Sequence, residues 1–535
     1  MKRENSIAIK VIMLVLAMFV ICFVSCEKKD LKPSNSSSGN ITGTSSGSLS
    51  DEDSLQYLMY RIMQVDFIND GRDSSYDLPT YYWYSQVPSL NPLSSAYPNS
   101  DTLLSVIKSY PMNPQTNQPI DRYSFLDRTG QVSKEYENGI VDDNFSGLAP
   151  QGDYGMQVSY AEDSLGNTDL YVLYSDKNSP AGQKGIQRGW EITAVNGNTN
   201  VSYDGPNGAN VTMVSNALFS STSVTLTFKE LNGISVTYTL NSTPYDVDPV
   251  LFDTIYNVGD KKVGYFVFYA FTSIYNDSGT ATYTKQALDQ EFDKLTSAGI
   301  NDLIVDLRYN GGGDVTTAEY LDSALAPASA NGKVMYKYLY NDKLSQNMNQ
   351  LGLSSTVNFA GTGDLHLDHL FFIDSRSTAS ASELTMNNLK PYMDVKLVGD
   401  TTYGKPVGFI DFNISDYHSG QPHYLADLYA IDFATENANN QGGYYEGIVP
   451  DVEASDYINV PWGNPDDENV SDIFNYITTG SFARSYTYTR EVIPHPASYR
   501  VRLRGAIPLK TFNGMIDYTL SKKINRLMGD MTVRH

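Results

Sequence analysis

Leu303-Ile304-Val305-Asp306-Leu307-Arg308-Tyr309-Asn310-Gly311-Gly312-Gly313 is an apolar run that ends in three consecutive glycines. A short run of this kind, closed by glycine, reads as a buried strand from Asp302 to Leu307 that stops at a tight turn. Working outward, Val263-Gly264-Tyr265-Phe266-Val267-Phe268 reads as a second buried strand, Lys285 to Ala298 as a helix, and Leu370 to Ile373 as a strand ahead of a helix at Ser380. Strands alternating with helices predict an α/β layer over residues 250–480. In such layers ligand chemistry gathers at strand ends, where both the glycine run and Ser380 fall.

Ser380-Ala381-Ser382-Glu383 fits the S-x-x-E capping box, in which a serine satisfies the first amides of a helix. A helix start is also where backbone N–H groups and the helix dipole stabilise a developing oxyanion, so a capping serine and a nucleophile are compatible readings. A serine hydroxyl attacks an amide only with a base beside it, and a lysine serves as that base only where burial keeps its amine neutral. Lys405, in Thr401-Thr402-Tyr403-Gly404-Lys405-Pro406, lies 25 residues after Ser380. Alone it reads as a loop lysine, and the glycine run alone as a strand-to-loop turn.

In combination and in this order, the glycine run, Ser380-Ala381-Ser382-Glu383 and Gly404-Lys405 resemble the C-terminal processing (tail-specific) serine peptidases. The resemblance covers roughly residues 120–455, with Gly447-Ile448-Val449-Pro450-Asp451-Val452 as a further signature. It implies that Ser380 is the nucleophile and Lys405 the general base. It also implies that the N–H of Ala381 and one from Gly312 or Gly313 form the oxyanion hole, and that no cofactor is needed. The chain departs from the family at three places. Phe409 stands where many relatives orient the lysine with a glutamine, Pro391 where some have an acidic residue, and Gly311 where proline is common. The third catalytic member is therefore unidentified.

Residues 152–243 resemble a PDZ module. Tyr171-Val172-Leu173, Ser179-Pro180-Ala181, Gly185-Ile186, Gly189-Trp190-Glu191-Ile192 and Val195-Asn196-Gly197 follow the order strand, small-residue turn, glycine turn, strand and hairpin turn. Tyr154-Gly155-Met156 stands where such a module holds a terminal carboxylate before a peptide-pairing strand, with a helix near Val211 to Phe219 walling the groove. Such modules also serve as structural or regulatory lids.

Lys2 and Arg3 precede a mostly apolar stretch from Ile7 to Val24 that ends Val24-Ser25-Cys26. This reads as a secretion signal over 1–25 whose junction resembles a bacterial lipobox, making Cys26 the lipidated first residue. The Ser-, Gly- and Asn-rich stretch to Ser50 reads as a tether spanning about 25 Å. The expected location is the bacterial cell envelope, outside the cytoplasm, periplasm-facing or at the surface, with the membrane reached through lipid. Over residues 51–150, Leu55, Leu58, Met59, Ile62 and Met63 form a helical stripe after three acidic residues, and Leu103, Leu104 and Ile107 suggest a second helix. Asp121-Arg122-Tyr123-Ser124-Phe125 resembles the segment closing the family's helical N-terminal region, a supporting element.

The fold class predicted is therefore multidomain α/β: a helical N-terminal region, a PDZ-like β-rich module and an α/β peptidase core. The net charge of −23 excludes nucleic acid as a natural partner. The only cysteines are Cys22 and Cys26, which leaves the mature chain no disulfide or thiolate metal site. His366, Asp368 and His369 lie close in sequence without metal-site companions, so no metal is called for. The expected partners are protein or peptide substrates with free C-termini. Two alternatives stand beside hydrolysis: a catalytically retired tail-binding lipoprotein and, from the forty tyrosines, a glycan-binding one. The segment 491–535 carries eight Lys/Arg against three Asp/Glu. Docking on the acidic body and an extension peculiar to this chain both fit it, and the resemblance assigns it no role.

Overall fold

The computed structural model describes residues 49–64, 79–141, 153–163, 166–361, 363–418, 421–482, 501–508 and 512–528. Cys26, the signal segment and nearly all of the tether lie outside them. Among the described residues no helix is long and apolar enough to cross a membrane.

The central layer is a six-stranded sheet ordered Val452–Glu453, Val395–Gly399, His369–Asp374, Asp302–Asp306, Lys261–Phe268 and Val250–Val258. Its neighbours are parallel except for the last pair. Leu303, Ile304, Val305, Phe371 and Phe372 are fully buried because both faces of a parallel sheet are covered. The helix Tyr283–Ala298 is the crossover into the strand Asp302–Asp306.

A second sheet was not legible in the sequence. Its spine is a long hairpin, Val407–His418 with Gln421–Asn437. The glycine strand Gly312–Asp314 lies at one edge, and between it and the hairpin runs a tail strand, Gly514–Ile516, from the C-terminal segment. The serine helix, Ala381–Leu389, is buried along its whole length. The N-terminal helices Asp51–Gln64 and Ser100–Lys108 bury Leu55, Met59, Ile62, Leu103 and Ile107 in the main apolar cluster.

The segment read as PDZ-like folds as five consecutive antiparallel strands, from Met156–Glu162 to Ser235–Asn241, with the helix Ala209–Phe219. It has its own apolar cluster containing Val158, Leu170, Ile192, Val214 and Phe228. Arg188 ties it to the core, donating to Tyr309 Oη at 2.6 Å and to Asp456 at 2.5 Å. The edge of Met156–Glu162 is occupied by Arg502–Pro508, paired antiparallel. Docking of the basic C-terminal segment on the body is thus observed for its described part.

Candidate active site

The serine is presented by a strained turn. Ser380 sits at φ 62°, ψ −109°, a backbone conformation that side chains other than glycine rarely adopt and that costs about 1–3 kcal/mol. The surroundings hold it there. Asn310 O accepts from Ala379 N at 3.0 Å and from Ser382 Oγ at 3.0 Å, and Thr378 Oγ1 donates to Leu307 O at 2.8 Å. The Ser380 hydroxyl is buried in a capping-box position over the Glu383 amide, and among the described residues it makes no well-formed hydrogen bond. Of the expected capping box, the Glu383 half is plain: its Oε2 accepts from the Ser380 amide at 2.8 Å.

Glu383 does more than cap. The same Oε2 accepts from Lys405 N at 2.8 Å, and Oε1 accepts from Gly404 N at 2.8 Å and Thr402 Oγ1 at 2.5 Å. One buried carboxylate therefore locks the serine turn to the lysine loop. Burial pushes its carboxyl above the ordinary value, opposed by those hydrogen bonds. The loop is held from its other side by Arg122, whose Nη2 donates to the carbonyls of Tyr403, Gly404 and Tyr445 at 2.9, 3.1 and 2.9 Å. Tyr123 Oη adds a bond to Gly404 O at 2.6 Å.

Lys405 is fully buried, and burial drives its amine well below the usual 10.5 against the opposing pull of Asp121 and Glu383. Its Nζ lies 3.4 Å from the centroid of the Phe409 ring, the residue standing where relatives place glutamine. Among the described residues Nζ donates to Asn513 O at 2.8 Å, so in this state the amine faces the C-terminal segment instead of Ser380 Oγ.

The glycine strand closes the site. A Cβ on Gly312 would lie 2.9 Å from Ala381 N and 3.0 Å from Ser380 Cβ, so only glycine permits this approach. Ala381 N–H is the first amide of the serine helix and has no acceptor within it.

Residues 262–454 match the model of peptidase family S41. Over that stretch the core is similar to peptidase family S41. The fold agrees with that of a Bacteroides fragilis NCTC 9343 protein described as an S41 protease, at 21% identity and TM-score 0.54, covering 75% of this chain and 95% of that one. The photosystem II D1 C-terminal processing protease is 19% identical over 68% of this chain and 83% of its own, with TM-score 0.38. No curated protein matches.

Around this core, amides expected to bind substrate already have partners in the chain. Of the two glycine amides expected as alternatives, Gly312 N–H donates to Asn310 Oδ1 at 2.9 Å. Gly313 in turn is engaged by the tail: the bond from Gly514 N to Gly311 O at 3.0 Å and the parallel register Gly312↔Gly514 turn the Gly313 amide onto the Gly514 carbonyl. In the PDZ-like module, Gly155 N–H donates to Asp153 Oδ1 at 2.6 Å, and Tyr245 Oη donates to the same oxygen at 3.2 Å. A resident carboxylate thus holds the amide expected to capture a substrate's C-terminus. Tyr154 is buried, its Oη donating to Ser221 O at 2.6 Å, whereas Met156 lines a cavity beside Gly155 and Phe219.

Pro391 follows the serine helix at the Lys390 C-cap, outside the contacts around Ser380. His369 Nδ1 lies 2.6 Å from Asp302 Oδ1, Asp368 pairs with Lys261 and His366 is exposed, so the three form no common centre. A different group does converge: His418 and His423 Nε2 lie 3.0 and 3.2 Å from the oxygens of Asp51.

Proposed function

We propose that this protein is a serine endopeptidase in which Ser380 and Lys405 act as nucleophile and general base. The observation that carries the reading is the Glu383 carboxylate, which accepts from the backbone amides of both residues and so ties the turn that presents the buried serine hydroxyl to the loop that carries the buried amine. A buried lysine with a lowered pKa is the form of lysine that can take a proton.

In the first half-reaction Ser380 Oγ adds to the scissile carbonyl carbon as its proton passes to Lys405 Nζ. The oxyanion is stabilised by Ala381 N–H and, once it is released from Gly514, by Gly313 N–H; one such donor contributes about 3–4 kcal/mol. Collapse breaks the C–N bond, the amine leaves with the proton from Lys405, and an ester on Ser380 remains. Water then attacks the ester, Lys405 takes its proton, and the returning proton restores the serine hydroxyl.

Substrates are extended segments of proteins outside the cytoplasm, with Cys26 as the lipid anchor. The PDZ-like module adds them as a strand to Met156–Glu162, the edge that already accepts Arg502–Pro508. Because Asp153 holds the Gly155 amide, the substrate's own terminal carboxylate contributes little. Matched peptides with free and amidated C-termini test this: cleavage that Ser380→Ala abolishes, at rates equal within about twofold, is the expected result. A preference of roughly tenfold or more for the free carboxylate, the value of one charge-assisted hydrogen bond, would mean that Asp153 yields to the substrate.

A further inference from the structure

Residues 501–508 and 512–517 lie on the path a substrate would take. Arg502–Pro508 lies antiparallel on Met156–Glu162, with Arg502 opposite Glu162 and Pro508 opposite Ser159, and so runs toward Gly155. Phe512 and Asn513 lie at the active site. There Lys405 Nζ donates to Asn513 O at 2.8 Å, Gly514 N donates to Gly311 O at 3.0 Å, and Gly514–Ile516 pairs with Gly312–Asp314. The general base and one oxyanion donor are thus both spent on a single stretch of the protein's own chain.

Two cavities flank this stretch. One, of about 110 Å³, is bordered by Gly155, Met156, Phe219 and Gly311; the other, of about 460 Å³, by Tyr123, Gln131 and Tyr403. Tyr136, Phe512 and Asn513 line both, and the Phe512 and Tyr136 rings lie 4.2 Å apart. Phe512 and Asn513 therefore form part of the wall between the module's peptide edge and the lysine loop.

The sequence is adapted to this occupant. A Cβ on Gly311 would lie 1.8 Å from Phe512 O, so the proline common in relatives cannot stand at 311 while the segment is in place. Beyond the site the chain is anchored: Tyr338 Oη donates to Asp517 Oδ2 at 2.5 Å, Asp411 N donates to Ser521 Oγ at 2.8 Å, and Tyr518, Leu520 and Ile524 are buried.

We propose that residues 501–508 and 512–517 are a built-in occupant of the substrate path, holding the enzyme closed until the strand at Phe512–Ile516 is displaced. The proposal rests on the peptidase reading for its consequence and on the contacts above for the occupancy. Substrate competes with a tethered segment, so the apparent affinity is scaled by the fraction of molecules in which the path is open.

The test uses the full chain. Gly514→Pro removes the N–H that bonds Gly311 O, and Phe512→Ala removes the ring at the shared wall; both leave the helix Tyr518–Met528, anchored by Tyr518, Leu520 and Ile524, in place. Each variant, shown folded by its melting curve, should raise kcat/KM on an extended fluorogenic peptide by about tenfold or more. A tenfold rise corresponds to a shift of about 1.4 kcal/mol in the closed–open balance. In a Ser380→Ala background, a fluorescein-labelled peptide of residues 501–517 should bind the Gly514→Pro and Phe512→Ala chains at least about tenfold more tightly than the parent. This binding arm does not depend on hydrolysis. Tighter binding with no cleavage by any form supports the occupancy and sinks the peptidase reading. Folded variants with unchanged or lower kcat/KM and no gain in peptide binding overturn the proposal.

Discussion

Glu383 Oε2 accepts the backbone amide of Lys405 at 2.8 Å, across a gap of 22 residues in the chain. The same carboxylate serves the Ser380 amide, Gly404 N and Thr402 Oγ1, so its loss orphans donors on both sides of the site. Each buried unpaired donor costs about 1–3 kcal/mol. Glu383→Ala should therefore lower stability by more than about 3 kcal/mol in denaturant titration. Glu383→Gln, which turns an amide NH2 toward one of these donors, should fold less stably than wild type and lose at least about 100-fold in kcat through misplacement of the pair.

Arg122 works from the opposite side of the loop. Its Nη2 bonds to the Tyr403, Gly404 and Tyr445 carbonyls are lost in Arg122→Ala, and Arg122→Lys loses the planar guanidinium that lies over the Tyr123 and Tyr403 rings and aims that nitrogen. Both variants should depress kcat more than they raise KM, with Arg122→Lys recovering less than about a tenth of the wild-type rate. A KM effect alone would show that Arg122 contacts substrate and does not position Lys405.

The buried lysine has a stability signature with a definite sign. Its folded pKa lies well below the unfolded 10.5, so between those two values the unfolded chain holds a proton that the folded chain does not. Stability from this group therefore rises with pH across that window. Lys405→Met should be more stable than wild type at neutral pH, with the gap narrowing as pH approaches 10.5. Melting temperatures of the two proteins from pH 6 to 10 read this directly.

Asp322 has the opposite sign. It is buried beside the serine helix, accepts from Asn388 Nδ2 at 2.7 Å, and burial raises its carboxyl from 3.8 to about 7. Between those values the folded state holds the extra proton, so this stabilisation is complete below about 3.8 and is lost as pH rises through about 7. Asp322→Asn should flatten the decline of melting temperature between pH 4 and 7. A variant whose slope matches wild type would show that Asp322 is ionised in the fold.

Much of this was legible because it is local. The strand Asp302–Asp306, the helix Tyr283–Ala298 and the glycine turn follow from apolar runs and glycine punctuation, and the serine helix from its capping pattern. What escaped is non-local. Glu383 reads as a cap from three residues away, and only the folded chain brings Thr402, Gly404 and Lys405 to its other oxygen lone pairs. Asp153 gave no signal that it would take the Gly155 amide. The tail strand Gly514–Ile516 is too short for a hydrophobic period, yet Gly311 in place of proline, visible in the sequence, is the mark of its close approach.

The assignment of Ser380 and Lys405 is tested most directly by the pH dependence of peptide cleavage in the Gly514→Pro chain and in its Ser380→Ala, Lys405→Met and Lys405→Arg derivatives. The parent rate should rise with pH and level off below 10.5, and no folded derivative should cleave, since alanine offers no nucleophile, methionine takes no proton and guanidinium keeps its own. A folded Lys405→Arg chain that cleaves at the parent rate would contradict it.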